Sequence, residues 1–311
     1  MNIDPSLLQR AAASAAGHQR HAAGTLYVVA TPIGNLADLT LRAIHMLGHV
    51  DAVACEDTRV AGQLLSHLGL QKPLIALHAH NENEAAAAVL LRLARGESVA
   101  CVSDAGTPAV SDPGAVLVAA AAAAGHTVVP LPGPSSALAA LCAAGDAQRD
   151  GRASGFVFVG FVPAKGGERR EAIHTVLAER RTQVLFEAPH RITALLAALA
   201  EGAPTRTVTL CRELTKQFET IATMPAQTLP GWLAADANRE RGEFVLVLHA
   251  LPAPVAEEGA LSEAALRTLQ VLLRELPLKQ AVALAAELSG APRNALYQRA
   301  LAQRESGPQS D

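Results

Sequence analysis

The residues with the clearest chemical potential lie in one short segment, where an apolar run gives way to Ser, Asp, Gly, Thr and Pro. Val99 to Val102 indicates a buried strand, and the Ser-Asp-Ala-Gly-Thr-Pro that follows predicts a ligand-binding loop. In that loop the Asp104 carboxylate can bind ribose-type hydroxyls, and Gly106 lets a ligand approach the backbone. Ser111-Asp112-Pro113 then predicts the N-cap and first turn of a helix. An ordinary strand-to-helix loop is the alternative for a single segment of this kind.

The same design recurs along the first half of the chain, where short apolar strands end in Gly, Pro, Thr, Asp, His or Ser. The segments are 25–35, 51–59, 74–81, 99–107 and 127–136, and helical patterns separate them. This alternation predicts a parallel sheet, and open parallel sheets bind ligands at the carboxyl ends of their strands. The sequence contains neither the glycine fingerprint of dinucleotide-binding folds after its first strand nor a P-loop. Oxidoreductase and NTPase functions therefore lose their main support.

Composition divides the chain into four parts. We predict a disordered tail, two α/β domains and a helical domain, at residues 1–24, 25–146, 155–250 and 260–305 respectively. The polar, Gly-containing stretch between the α/β domains is the predicted linker, and the tail lacks the apolar core of a signal peptide. The last part has helical periodicity and predicts a helix-turn-helix-like unit, with a packing or dimerisation bundle as the alternative. We expect a soluble, cytoplasmic protein.

Charge and cysteine content say little about partners. The net charge of −3 gives no overall basic field that would indicate nucleic acid, although such a sum does not exclude a local basic patch. The four cysteines are well separated in or beside apolar runs and form no Cys-x-x-Cys pair, so they predict reduced core thiols. His78 and His80 have no third ligand nearby in the sequence and are interpreted as polar loop residues, so we expect no metal.

Eight short motifs occur in the order found in one protein family. They are Thr31-Pro-Ile-Gly-Asn, Cys55-Glu-Asp-Thr-Arg, Val102-Ser-Asp-Ala-Gly-Thr-Pro, Ser111-Asp-Pro-Gly, Leu131-Pro-Gly-Pro-Ser, Gly160-Phe-Val-Pro-Ala-Lys, Glu187-Ala-Pro-His-Arg and Arg212-Glu-Leu-Thr-Lys. With these motifs the chain resembles the RsmI type of ribosomal RNA 2′-O-methyltransferase, within the tetrapyrrole methylase (class III) superfamily. The resemblance covers residues 25–249, and the C-terminal helices also resemble that family's appended domain.

The resemblance implies a fold, a cofactor and a substrate. It implies two α/β domains with S-adenosylmethionine in the cleft between them, a homodimer, and no membrane. The substrate would be 16S rRNA in the small ribosomal subunit, methylated on the ribose 2′-hydroxyl of a cytidine in the decoding region. The cofactor-binding residues that it implies are Pro32, Gly34, Asp104, Ala105, Gly106, Thr107, Ser135, Ser136, Leu185, Phe186, Glu213 and Leu214.

Methylation of a ribose hydroxyl sets chemical requirements of its own. The hydroxyl is a weak nucleophile, so the reaction needs in-line placement, a group that takes the proton, and exclusion of water. The candidates for catalysis are Glu187, His190, Lys165, Glu56 and Asp57. For Glu187 the alternative is a carboxylate bound by backbone N–H groups of its own turn. The choice among the candidates stays open.

Contacts to RNA must come from local side chains, because phosphate neutralisation dominates RNA affinity and the chain is slightly acidic. The expected substrate-binding residues are Arg59, His78, Asn81, Arg191 and Lys216. Two other functions stay open. A small-molecule methylase acting on tetrapyrroles would share the fold and the cofactor, whereas a non-enzymatic RNA-binding assembly factor would not bind S-adenosylmethionine.

Overall fold

The computed structural model describes residues 4–146, 155–252, 261 and 263–305. The chain divides into two compact units, Met1–Leu251 and Pro252–Asp311. The first unit holds both predicted α/β halves, and the second holds the C-terminal helices. Most of the predicted linker, residues 147–154, lies outside the described residues.

The first half of the larger unit is built on a parallel five-stranded sheet with the order β3-β2-β4-β1-β5. Its strands are β1 (Leu26–Val29), β2 (Ala52–Cys55), β3 (Leu74–Ala76), β4 (Val99–Val102) and β5 (Val128–Leu131). Its helices are α1 (Pro5–Ala16), α2 (Leu41–His49), α3 (Thr58–His67), α4 (Glu82–Ala94), α5 (Ala115–Ala123) and α6 (Ser136–Ala144). Strands β2 and β4 are buried at every position, as expected for strands covered on both faces. The predicted parallel α/β architecture is confirmed.

The second half is built on a mixed sheet with the order β6-β7-β10-β8-β9. Its strands are β6 (Phe156–Phe161), β7 (Thr182–Glu187), β8 (Thr207–Arg212), β9 (Thr220–Pro225) and β10 (Phe244–Leu248). Its helices are α7 (Gly166–Ala178), α8 (Pro189–Gly202) and α9 (Leu229–Ala234). Only β6 and β7 pair in parallel; the other three pairings are antiparallel. Strand β9 was not predicted, because this edge strand alternates half-buried and exposed positions and has no apolar run.

Helix α6 joins the two halves of the larger unit. It follows β5 in sequence, yet its buried residues Ala137 and Ala140 pack in one cluster with Val184 and Val247 of the second sheet. At its end, Asp146 accepts hydrogen bonds from the Thr182 hydroxyl at 2.5 Å and from the Ala250 N–H at 3.0 Å. The two halves of the larger unit are therefore held together by packing and hydrogen bonds as well as by the chain.

The N-terminal tail contains a helix, so the prediction of disorder for residues 1–24 is wrong over α1. Ala12 and Ala16 are buried, and the Gln9 side chain donates a hydrogen bond of 2.7 Å to the Leu68 carbonyl. The helix packs against α2. Its alanine-rich sequence hides this packing, since small buried side chains give almost no apolar periodicity.

Three histidine rings cluster beside the α1–α2 contact. The ring centroid of His21 lies 5.8 Å from that of His45 and 4.7 Å from that of His49. Burial lowers the pKa of His21 and His45, and the charges of His49 and, for His21, Arg42 lower it further. Folding therefore disfavours protonation of His21 and His45, whereas the unfolded chain takes up protons near the ordinary value of 6.5.

We expect stability to fall as the pH drops through 6.5 towards the lowered folded-state pKa of His21 and His45, because the unfolded state binds more protons than the folded state in that window. Thermal unfolding between about pH 8 and pH 5 measures this. His45→Gln should make the melting temperature less dependent on pH. The exposed His18→Gln should not. Equal pH slopes for His45→Gln and the wild type would contradict the cluster's role.

The C-terminal unit is a three-helix bundle formed by α10 (Glu263–Glu275), α11 (Leu278–Ser289) and α12 (Arg293–Glu305). Its core includes Leu269, Val282 and Leu296, one from each helix. Gly290 ends α11 in the left-handed conformation at φ 66°, which turns the chain tightly into α12. None of the described helices is both long and apolar enough to cross a membrane.

Candidate active site

A cavity of about 330 Å³ lies where the carboxyl ends of the first sheet meet the second half of the unit. Ile33 and Gly106 line it from the first half, and Phe186, Leu214 and Val245 line it from the second. Pockets that hold small ligands have volumes of about 300–1,000 Å³, so this one has room for a ligand of cofactor size.

Three loops of the first half are tied together at the cavity. Thr31 and Gly106 exchange backbone hydrogen bonds of 2.9 and 3.0 Å, which joins the loops after β1 and β4. The Thr31 hydroxyl also donates to the Ser103 carbonyl at 3.0 Å, and the Thr107 hydroxyl donates to the Pro134 carbonyl at 3.0 Å. Because these bonds fix the loops to one another, the cavity wall is formed before any ligand arrives.

Seven of the expected cofactor residues line this cavity. They are Ala105, Gly106, Thr107, Ser135, Ser136, Phe186 and Leu214. The structure adds lining residues that sequence reasoning missed, among them Ile33, Asp112, Phe161, Glu243 and Val245. Three of them, Ile33, Asp112 and Phe161, lie inside the quoted motifs and could have been found there. Val245 gives no signal, since any buried strand contains such residues.

Five expected cofactor residues do not line the cavity. The side chain of Leu185 is fully buried in the core of the second half, because alternate residues of β7 point to opposite faces of the sheet. Pro32 and Gly34 flank the lining residue Ile33. Gly34 instead lies against Lys216, where an added Cβ would come within 2.5 Å of the lysine Cγ.

The other two are carboxylates already bound by neighbours. Asp104 accepts the Asp57 N–H at 3.0 Å, which ties the loop after β4 to the loop after β2. Glu213 accepts the Lys216 ammonium and the Glu243 N–H, both at 2.9 Å. Burial would raise the pKa of Glu213, but these hydrogen bonds outweigh burial and hold it below its usual value.

Among the catalytic candidates only Glu187 lines the cavity, and it is held by two guanidinium groups. Its carboxylate is buried and lies 3.0 Å from Arg169 and 2.7 Å from Arg191. The Ala188 N–H donates to the same oxygen that Arg191 approaches, at 3.0 Å. Both oxygens are thus engaged. The alternative prediction for Glu187, binding by backbone N–H groups of its own turn, accounts for the Ala188 contact. It does not account for the two ion pairs with arginine.

The remaining catalytic candidates lie away from the lining. His190 is exposed on the first turn of α8, and Lys165 is exposed just before α7. Glu56 and Asp57 are half-buried at the end of β2. Hydrogen bonds from Arg59 lower the pKa of Asp57 to about 2, whereas burial and then Asp104 raise the pKa of Glu56.

The expected substrate-binding residues are spread over several loops. Arg59 is exposed and bound to Asp57 at 2.5 Å. Asn81 accepts the His78 N–H at 2.8 Å and donates to Ala76, so its amide stabilises its own turn. The ring of His78 is exposed. Lys216 binds Glu213 and Glu243, and Arg191 binds Glu187.

The helix start predicted at Ser111-Asp112-Pro113 is wrong. Helix α5 begins at Ala115, after Gly114 at φ 129°, with no side-chain cap. The Glu82 carboxylate accepts the Gly114 N–H at 2.7 Å instead. Ser111 and Asp112 therefore lie in the loop before the helix, and both line the cavity.

An aromatic cluster forms one side of the cavity. The ring of Phe186 packs edge-to-face against Phe158 at 5.2 Å and Phe161 at 5.5 Å between centroids. Phe161 is 54% exposed, and the Arg191 guanidinium carbon lies 5.9 Å from the centre of its ring. An exposed aromatic ring beside a guanidinium group is suited to a planar, negatively charged partner such as a nucleotide.

No group of three or more His, Cys, Asp or Glu side chains is arranged to hold a metal ion in the part of the chain that the structure describes. The three rings at His21, His45 and His49 do not form such a group either.

Comparison with known proteins agrees with this geometry. The fold is similar to solved structures of uroporphyrin-III-C-methyltransferase from Thermus thermophilus (TM-score 0.51, 22% identity, 73% of this chain and 94% of that chain) and of cobalt precorrin-4 methyltransferase (TM-score 0.53, 18% identity, 72% and 94%). The profile of the tetrapyrrole (corrin/porphyrin) methylases matches residues 25–230, and that of the RsmI C-terminal HTH domain matches residues 259–304. The larger unit therefore has the fold of the tetrapyrrole methylases.

Curated relatives make the assignment narrower. Proteins named ribosomal RNA small subunit methyltransferase I are 49% identical in Pseudomonas aeruginosa (90% of this chain, 97% of the relative) and 48% identical in Escherichia coli O157:H7 (90% and 96%). The relative in Neisseria meningitidis serogroup A is 48% identical (94% and 97%). The chain belongs to the ribosomal RNA small subunit methyltransferase I family of the tetrapyrrole methylases and is a methyltransferase.

Proposed function

We propose that the protein uses S-adenosylmethionine to methylate the ribose 2′-hydroxyl of a cytidine in the decoding region of 16S rRNA. The observation that carries this proposal is the 44–49% identity, over most of the chain, to relatives named for the small-subunit rRNA. The tetrapyrrole enzymes share the fold at only 18–22% identity. The cytidine and the 2′-position rest on the motif resemblance.

The cavity fits S-adenosylmethionine in size and in chemistry. Phe186, Leu214 and Val245 offer apolar walls for an adenine ring, and Glu243 offers a carboxylate for hydroxyl or ammonium groups. Ser135 and Ser136 stand at the N-terminus of α6, where backbone N–H groups favour a carboxylate. When bound, the cofactor supplies an electrophilic methyl group, whose bond to sulfur breaks as the ribose oxygen attacks.

The target nucleotide is expected at the open side of the cavity. We place its base on the exposed ring of Phe161 and a neighbouring phosphate near Arg191, whose guanidinium is anchored by Glu187. Stacking on an aromatic side chain suits a base that has left its helix, and it leaves the ribose free to turn into the cavity.

Phe161→Ala should raise the KM for rRNA roughly 10-fold, because stacking contributes about 1–3 kcal/mol per base. Phe161→Tyr should restore most of the loss. Phe156 is a matched control, since it is 38% exposed at the other end of the same strand. Equal effects of Phe161→Ala and Phe156→Ala would contradict the stacking role.

We also propose that the protein forms a homodimer and that its C-terminal unit contacts the RNA. On α12, Arg293, Asn294, Gln298 and Arg299 are exposed, while Tyr297 packs against the core of the bundle. These exposed side chains can contact phosphates and base edges.

Two measurements separate this function from the alternatives. Calorimetry with S-adenosylmethionine distinguishes an enzyme from an RNA-binding assembly factor, which would give no binding heat. Transfer from methyl-labelled cofactor to purified small subunits, with a porphyrinoid as the competing acceptor, distinguishes the two kinds of methylase. We expect label in the 16S rRNA alone. Label in the porphyrinoid alone would refute the proposal.

A further inference from the structure

Asp112 occupies an unusual position for a carboxylate at the start of a helix. It lines the cavity together with Ser111 and Ala105 and is half-buried there. Because Gly114 and Glu82 complete the start of α5, the Asp112 side chain is not used as a helix cap. Asp112 therefore lines the space in which the reaction would take place.

Several other acidic groups around the cavity are already bound by neighbours, and Asp104 accepts the Asp57 N–H. Glu187 lies between two arginines, Asp57 is bound to Arg59, and Glu213 is bound to Lys216. Among the described residues, no Lys, Arg or His forms an ion pair with Asp112. Asp112 is thus a carboxylate on the first-half wall of the cavity that is not engaged in an ion pair and can accept a substrate proton.

The surroundings also favour proton uptake by Asp112. Burial raises its pKa and the nearby Asp104 raises it further, while a hydrogen bond from Ser103 opposes them. The charges of Asp104 and Asp112 also raise the pKa of Glu56, so these three carboxyl groups lie close together. Arg59 faces the same region but is bound to Asp57. A general base works best when its pKa lies near the working pH.

We propose that Asp112 is the catalytic residue that accepts the proton from the ribose 2′-hydroxyl, an inference that rests on the proposed function. The O–H bond of the ribose breaks, and its proton forms a new O–H bond on the Asp112 carboxylate. The oxygen keeps the electron pair and uses it for the bond to the transferred methyl carbon. The departing sulfur takes the pair of the bond that breaks, so charge and atoms balance.

Single-turnover methyl transfer to small subunits tests this assignment with Asp112→Asn. The variant should react roughly 10²-fold more slowly or worse. The wild-type rate should rise with pH until Asp112 is ionised, and the variant should lose that rise. Its affinities for S-adenosylmethionine by calorimetry and for rRNA by filter binding should equal those of the wild type. The exposed Glu84→Gln on α4 is the control for loss of a carboxylate and should behave as the wild type.

Stability provides a readout independent of activity. A carboxyl whose pKa is raised by folding destabilises the protein as the pH rises from the ordinary value of 3.8 through the folded-state pKa. Asp112→Asn should therefore melt at a higher temperature than the wild type near neutral pH, and this difference should shrink as the pH approaches 3.8.

Three outcomes would overturn the assignment: a wild-type rate in Asp112→Asn, a slow variant that keeps the wild-type pH dependence, or loss of cofactor binding. A lower melting temperature than the wild type near neutral pH would also overturn it. Wild-type protein that does not methylate small subunits at all would instead refute the proposed function, so the two failures are distinguishable.

Discussion

Gly106→Val is expected to lower the affinity for S-adenosylmethionine by at least about 100-fold, equivalent to about 2.7 kcal/mol. Gly106 has φ 85°, and an added Cβ would lie 3.3 Å from Cγ2 of Ile33, which lines the cavity. A β-branched side chain is strained in this conformation, and its further atoms must occupy the ligand space or displace the Thr31–Gly106 bridge.

Backbone strain alone must be separated from obstruction of the cavity, and Gly125 allows this. It has φ 79°, and no atom lies within 4 Å of an added Cβ. Gly125→Val thus carries a similar strain of about 1–2 kcal/mol away from the cavity. Calorimetry should give wild-type affinity for Gly125→Val and no measurable binding for Gly106→Val. Loss of binding in both variants, or in neither, would contradict the assigned pocket.

Glu187→Gln is expected to reduce the free energy of unfolding by about 3 kcal/mol, because it leaves two guanidinium groups without their carboxylate. Breaking a buried ion pair by removing one partner costs about 3–5 kcal/mol. The lower value applies here, since Arg169 and Arg191 retain 12% and 18% exposure. For a unit of this size the melting temperature should fall by about 6–12 °C.

Glu179→Gln is the matched control, because Glu179 pairs with Arg181 in an ion pair that is partly exposed, at 26% and 50% of the two side chains. Its loss should cost at most about 1 kcal/mol. At a temperature where Glu187→Gln is still folded, its methyl transfer should keep the wild-type pH dependence, since both Glu187 oxygens are already engaged by Arg169, Arg191 and the Ala188 N–H. A pH-independent rate in Glu187→Gln would indicate that Glu187, and not Asp112, accepts the proton. Equal stability losses in Glu187→Gln and Glu179→Gln would contradict the stabilising role of the buried ion pairs of Glu187.

The fold was predictable where the sequence repeats one local rule. Apolar strands that end in Gly, Pro and Asp gave the parallel sheet and the ligand edge, because backbone sterics and burial act within a few residues. Strand β9 and helix α1 follow no such rule. Their positions depend on pairing with β8 and on packing of small alanines against α2, both of which are decided by distant parts of the chain.

The site was predictable in its backbone loops and less so in its side chains. The loop at Ala105 to Thr107 lines the cavity as expected. The pairing of Glu187 with Arg169 joins residues 18 positions apart on different elements, and no periodicity encodes it. Asp112 was interpreted as a cap because Asp before Pro commonly is one. It is not a cap because Glu82, a residue of another helix, accepts the Gly114 N–H at the start of α5.

Methylation of a ribose 2′-oxygen of 16S rRNA is the activity that we propose for this chain. A 2′-O-methyl group blocks alkaline cleavage at its own nucleotide, so partial alkaline hydrolysis of 16S rRNA reads the modification directly. In a strain that lacks the gene, we predict one new cleavage band at a decoding-region cytidine, and the band should disappear when the wild-type gene is restored. A cleavage ladder identical in the two strains would contradict the claim.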